Sequence, residues 1–124
     1  MSLQKDNGQW GEDLAISFLV KNGFEILHRN WRYKRAEVDI IARDEGILVF
    51  IEVKARSYTY FGRPEEMVGI GKKRMLFAAA AAFMASSDYE REIRFDIISI
   101  VGQPGHVIEM LHFKDAFYPG MSQV

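Results

Sequence analysis

Apolar residues recur along the chain with two periods, and each change of period marks an element. From about Gln9 to Lys21 the spacing is helical. At about 100° per residue, Leu14, Ala15, Phe18 and Leu19 share one face while Asp13, Ser17 and Lys21 share the other. Asn22-Gly23 follows, a pair that readily takes the left-handed conformation at a helix end. Glu12 departs from the pattern, because it falls beside Ala15, Ile16 and Leu19 on the core side. Phe24 to Arg32 predicts a strand of imperfect alternation, with Phe24, Ile26 and His28 set against Glu25, Leu27 and Arg29. Glu37 to Arg43 and Ile47 to Ala55 are stronger strands, rich in Val and Ile and joined by Asp44-Glu45-Gly46.

Residues 56–71 hold three of the ten glycines and one of the three prolines, and read as a loop or partly helical connection. Lys72 to Ala85 predicts a second helix, basic at its start and apolar through Met75, Leu76, Phe77, Phe83 and Met84. Arg94 to Val101 and His106 to Phe113 predict two last strands around Gly102-Gln103-Pro104-Gly105. The order α-β-β-β-α-β-β requires both helices to cover a sheet, which predicts an α/β or α+β domain with a mixed sheet.

Composition narrows this picture little. The length of 124 residues suits one domain over 1–124, with 1–8 and 119–124 expected as flexible ends. Hydrophobic residues at 48% and a net charge of -1 exclude disorder over most of the chain. No Cys is present, so disulfides, thiolate metal sites and Cys nucleophiles are excluded. The start lacks the apolar segment of a signal peptide, and no apolar run reaches the ~18 residues of a membrane span. A cytoplasmic protein is expected.

Candidate chemistry lies in the central hairpin. If Glu45-Gly46 is its two-residue loop, Asp44 faces Ile47, Asp39 faces Glu52 and Glu37 faces Lys54. Alternation then puts these last four side chains on one face, and Val38, Ile40, Ile51 and Val53 on the other. Two facing carboxylates repel and cost stability unless something positive lies between them. Lys54 is one such group and a divalent cation another. Mg²⁺ prefers oxygen ligands and uses one or two carboxylates, with water and substrate phosphate completing its shell. A solvated hairpin face with a cross-strand ion pair is the plain alternative.

The surroundings bear on that choice. Residues 28–74 hold eleven Lys or Arg against seven Asp or Glu, and the remainder five against ten. The cations alternate with aromatics in Trp31-Arg32-Tyr33-Lys34-Arg35, and in Arg56-Ser57-Tyr58-Thr59-Tyr60-Phe61-Gly62-Arg63. Phosphate contact combined with base stacking calls for that mixture, as does a solvated rim with half-buried rings. Lys72-Lys73-Arg74 opens the second helix, where the dipole disfavours cations.

Asp39 followed by Glu52-Val53-Lys54 on the next strand resembles the PD-(D/E)xK signature of metal-dependent nucleases. The wider pattern is similar to the YraN-like family of small bacterial proteins, related to archaeal Holliday-junction resolvases. It runs through Gly11-Glu12, Asn30-Trp31-Arg32, Ala36-Glu37-Val38-Asp39, Val49 to Arg56, Phe61-Gly62, Lys72, Arg94-Phe95-Asp96 and Asp115-Ala116-Phe117. Ala36 departs from the Gly usual in that family.

The resemblance implies a restriction-endonuclease-like αβββαβ core with a mixed central sheet flanked by helices. It implies Asp39 and Glu52 as ligands of Mg²⁺ or Mn²⁺, Lys54 orienting the attacking water, and Glu12 as a supporting acid. Glu37 is expected as an acid or strut behind the ligands. Lys72 joins Arg32, Lys34, Arg35, Arg56 and Arg63 as expected DNA contacts. Asp96 has no chemical reason to join the metal site.

Three readings follow. The first is a metal-dependent nuclease acting on structured or branched DNA, with a homodimer as one expected form. The second is a nucleic-acid-binding accessory protein that keeps the fold with little catalysis. The third is a protein-docking module using Tyr58, Tyr60 and Phe61, which leaves the facing acids unexplained.

Overall fold

Glu45 (φ 50°) and Gly46 (φ 85°) both take the left-handed region, so they form the tight turn that matches strand twist in a two-residue hairpin. That turn sets the register expected from the sequence, with Asp44 opposite Ile47 and Ile40 opposite Ile51. A computed structural model describes residues 3–58 and 62–121, with side chains from Gly8 onward. Thr59, Tyr60 and Phe61 of the aromatic segment lie outside the described residues.

The elements are α1 (Leu3–Lys21), β1 (Glu25–Tyr33), β2 (Ala36–Asp44), β3 (Ile47–Arg56), α2 (Ile70–Ser86), β4 (Ile93–Gln103) and β5 (His106–Phe117). A short 3-10 helix, Pro64–Met67, lies in the Gly- and Pro-bearing connection. The order matches expectation, although α1 begins six residues before Gln9 and β5 runs four residues past Phe113. The five strands form one mixed sheet in sequence order, antiparallel except for the parallel pair β3–β4. The final turn is tighter than expected, since Gln103 pairs directly with His106. Among the described residues no helix is long and apolar enough to cross a membrane.

Each helix covers one face of the sheet. Ala15 and Leu19 of α1 are buried with Ile40, Ile51, Ile98 and Ile100. Leu76, Ala79, Ala80 and Phe83 of α2 are buried with Val38, Ile41, Phe50, Phe95 and Ile97. One expectation is corrected here. Val38 lies on the α2 side while Ile40 and Ile51 lie on the α1 side, so these residues do not share one apolar face. The alternation breaks at Asp39, beside Asn30 of β1, whose φ of 50° Asn tolerates better than most residues. A second irregularity, between Ile26 and His28, explains why the first strand alternates imperfectly in sequence.

Candidate active site

The break at Asp39 opens a cleft. The β2–β3 ladder ends at Ile40–Ile51, whereas β3 stays paired with β4 as far as Arg56. Residues 52–56 of β3 therefore have a strand partner on one side only. On the other side the Val53 N–H donates to Asp39 Oδ2 at 2.8 Å, so a carboxylate stands in for the missing carbonyl of β2. Because the strands have parted, groups from both faces reach one opening. Glu12 enters from α1 and Lys72 from the start of α2, around a polar cavity of about 340 Å³ that Asp39, Glu52 and Lys54 also line.

The charges in this opening are only partly matched. The Glu52 side chain is 2% exposed. Its Oε2 takes Lys54 Nζ at 3.4 Å and also contacts Lys72 Nζ, while its Oε1 is buried without a hydrogen-bond partner. Burial first, and then the Glu52 charge, push the Asp39 carboxyl up to about 8. Burial also raises Glu12, against a hydrogen bond with Asn30 and the Arg29 charge. Glu12 Oε1 is likewise buried without a hydrogen-bond partner, with Arg29 Nη2 4.0 Å away. Burial alone would lower Lys72, but the charges of Glu52, Asp39 and Glu37 outweigh it and hold the ammonium above its ordinary range. The cationic helix start thus has a local partner that offsets the dipole.

Asp39, Glu52, Lys54, Glu12 and Lys72 line one opening, brought together by the parting of two strands and not by the continued ladder expected from the sequence. Glu37 lines an adjoining depression of about 270 Å³ with Asp39 and Lys72. It pairs with Arg32 across β1–β2 at 3.1 Å, which replaces the expected partnership with Lys54. Lys34 and Arg35 form the β1–β2 turn beside that depression. Arg56 lies over the Tyr58 ring at 5.9 Å, at the far end of β3. Arg63 is engaged with Glu65 and Glu66 at 3.2 and 2.8 Å, in a local network that caps the 3-10 helix. Lys73, counted in the basic run, is buried with Nζ 5.5 Å from the Phe117 ring centroid.

Two contributions were not read from the sequence. Gly11 lets α1 approach β3 closely, since a Cβ there would lie 2.7 Å from Ala55 Cβ. That approach brings Glu12 into the opening, and the signal was a Gly at a core-facing helix position preceding the misplaced acid. Asn30 was the other, a left-handed residue beside Asp39 that no local pattern announces.

Among the described residues no group of three His, Cys, Asp or Glu side chains is arranged to hold a metal ion. Two carboxylates suffice for Mg²⁺, whose remaining ligands are water and phosphate oxygens. The orphaned Glu52 Oε1 and the displaced Asp39 titration mark a place where a cation would relieve an unmet charge.

Sequence comparison agrees with the resemblance carried by these residues. The profile of the uncharacterised protein family UPF0102 matches residues 11–100. UPF0102 protein FP2501 of Flavobacterium psychrophilum is 44% identical over 118 residues, covering 95% of this chain and 98% of its own length. A UPF0102 protein of Bacteroides thetaiotaomicron is 41% identical over 119 residues, with 96% and 98% covered. One from Geotalea daltonii is 45% identical over 115 residues, with 91% and 90% covered. On a match of this extent the chain belongs to the UPF0102 family, the YraN-like family that its motifs resemble.

Proposed function

We propose that this protein hydrolyses phosphodiester bonds in structured DNA with the help of Mg²⁺ or Mn²⁺. The observation that carries this reading is the Asp39–Glu52 pair, set where β3 has lost one neighbour and flanked by Lys54 and Lys72. The α/β order and mixed sheet are compatible with the restriction-endonuclease-like core of such enzymes. Asp39 and Glu52 would hold the ion. When bound, it supplies Lewis acidity at phosphorus and makes water a better nucleophile.

The chain's own residues do the rest. The Val53 N–H fixes Asp39, so its carboxylate presents one orientation to the opening. Lys54 positions the attacking water and offsets charge building on the phosphate. Lys72 binds a phosphate oxygen once its hold on Glu52 loosens, and Glu12 supports the cleft as a third acid. Substrate charge is met by Lys34 and Arg35 at the rim.

Cleavage of labelled four-way, flapped and single-stranded DNA in Mn²⁺ tests this reading. Asp39→Asn and Glu52→Gln are expected to lose about 100-fold or more in rate, and calorimetric Mn²⁺ binding with it. Equal cleavage by both variants overturns the assignment. The second reading, a DNA-binding protein without hydrolysis, is favoured by the Lys72 contact that already answers Glu52 and by the cations Lys34 and Arg35 at the rim. DNA binding that survives chelation and Asp39→Asn, with no product from any substrate, would select it.

A further inference from the structure

The acidic opening continues into a hollow of a different character. The Glu37 depression shares Asp39 and Lys72 with the opening, and shares Arg35, Ala36 and Met75 with a third hollow of about 350 Å³. This last one is lined almost wholly by carbon, from Tyr33, Ala36, Met75 and Ala78, with Lys34 and Arg35 around it. Met75 and Ala78 lie one turn apart on α2 and are both exposed. The small side chain at 78 leaves space that a larger residue would fill.

One wall is a braced aromatic surface. Tyr33 stacks parallel to Trp31, at an interplanar angle of 5°. Trp31 stands edge-on to the buried Phe83 at 5.3 Å. Lys34, left-handed at φ 55°, holds its ammonium 5.3 Å from the Tyr33 ring centroid. A ring with one cation over it and another at the rim of the hollow suits a flat partner attached to negative charge.

Resting on the hydrolytic reading above, we infer that this hollow is a subsite for one unpaired nucleobase of the strand whose phosphate lies in the acidic opening. The trough offers phosphate chemistry at one end and a stacking wall at the other, the alternation of a nucleic-acid strand. A base inside a duplex is already stacked on both faces and cannot enter. The subsite thus selects DNA with an unpaired nucleotide next to the cut, and turns a general phosphodiesterase into one that reads structure. The two cations at the rim match the phosphates that flank every base of a strand.

The test is fluorescence titration of the whole chain, in Ca²⁺, against a branched DNA carrying 2-aminopurine at one position, either unpaired or paired. Stacking in the hollow is expected to quench the unpaired probe, with about tenfold tighter binding than for the paired control. Ala78→Phe fills the hollow from an exposed helix position, so folding is preserved. It is expected to abolish the quench and the tenfold preference while leaving duplex binding unchanged. Tyr33→Leu should also remove the quench. Equal affinity for the two DNAs, or a quench that survives Ala78→Phe, overturns the subsite, even if cleavage occurs. A quench lost in Ala78→Phe, without cleavage in Mg²⁺ or Mn²⁺, supports the subsite and overturns the hydrolytic reading instead.

Discussion

Two carboxylate sites sit side by side in the sheet and have opposite character. Asp96 of β4 pairs in register with Ile51, and Glu52 is the next residue of β3. Asp96 is fully buried, and both its oxygens are doubly engaged. Oδ1 accepts from Arg94 Nε at 2.8 Å and from the Asp115 N–H at 2.9 Å. Oδ2 accepts from Arg94 Nη2 at 2.9 Å and lies 2.8 Å from His112 Nε2. Arg94 Nη2 also reaches Asp44 Oδ2 at 2.9 Å. Burial by itself would raise Asp96, but these bonds outweigh it and hold the carboxyl below its ordinary range. Across the strand, burial raises Asp39 and leaves Glu52 Oε1 without a partner. The comparable burial of Glu52 and Asp96 therefore does not mean equal role. A carboxylate with all its acceptors filled anchors a fold, and one left short is open to a ligand.

The largest way to break this contrast is to remove the anchor. Asp96→Asn removes the closer of the two carboxylates that answer Arg94, leaving it Asp44 alone, and should cost about 3–5 kcal/mol, read from the urea midpoint. The sign of its pH dependence follows from its lowered carboxyl. Asp96 stabilises the fold above the ordinary carboxylate range and loses that contribution as pH falls through its depressed value, so the variant should show a shallower acid decline. A loss under about 1 kcal/mol would refute the anchoring role.

Gly11→Ala should cost about 1–3 kcal/mol, because its Cβ meets Ala55 Cβ at 2.7 Å. Ala55→Gly in the same chain should restore most of the loss, and if it does not, the close approach is not what seats Glu12.

The smallest effect has the opposite sign. With metal chelated, Asp39→Asn should stabilise the protein by about 1–2 kcal/mol near pH 8, since it removes a poorly solvated charge. Asp39 is raised to about 8, so its protonated form favours the fold at low pH and its ionisation erodes stability as pH climbs from about 4. The gap between variant and parent should widen between pH 5 and pH 8. A constant gap would show that Asp39 is as well satisfied as Asp96.

Much of this was legible in local pattern. The turn at Glu45-Gly46, the register of β2 on β3 as far as Ile40–Ile51 and the covered face of α1 all follow from turn chemistry and periodicity, which act over a few residues. Glu12 was legible as an acid in the wrong place. The partnership of Glu37 with Arg32 was not, because it depends on β1 lying beside β2, and neither was the engagement of Arg63 with its own helix start.

By itself, then, the amino-acid order determined which segments become helices and strands, which hairpin carries the acids, and which family the chain belongs to. Tertiary structure decided that β2 leaves β3 at Asp39, that Gly11 seats Glu12 and that Lys72 crosses from α2 to Glu52. It also decided that Asp96 is answered on every side while its neighbour is not. The physical reason is range. Propensity and periodicity act between residues a few positions apart, whereas the balance of charge around a buried carboxylate depends on distant segments. These are Lys72 of α2 and Asp39 of β2 around Glu52, and His112 and Asp115 of β5 around Asp96.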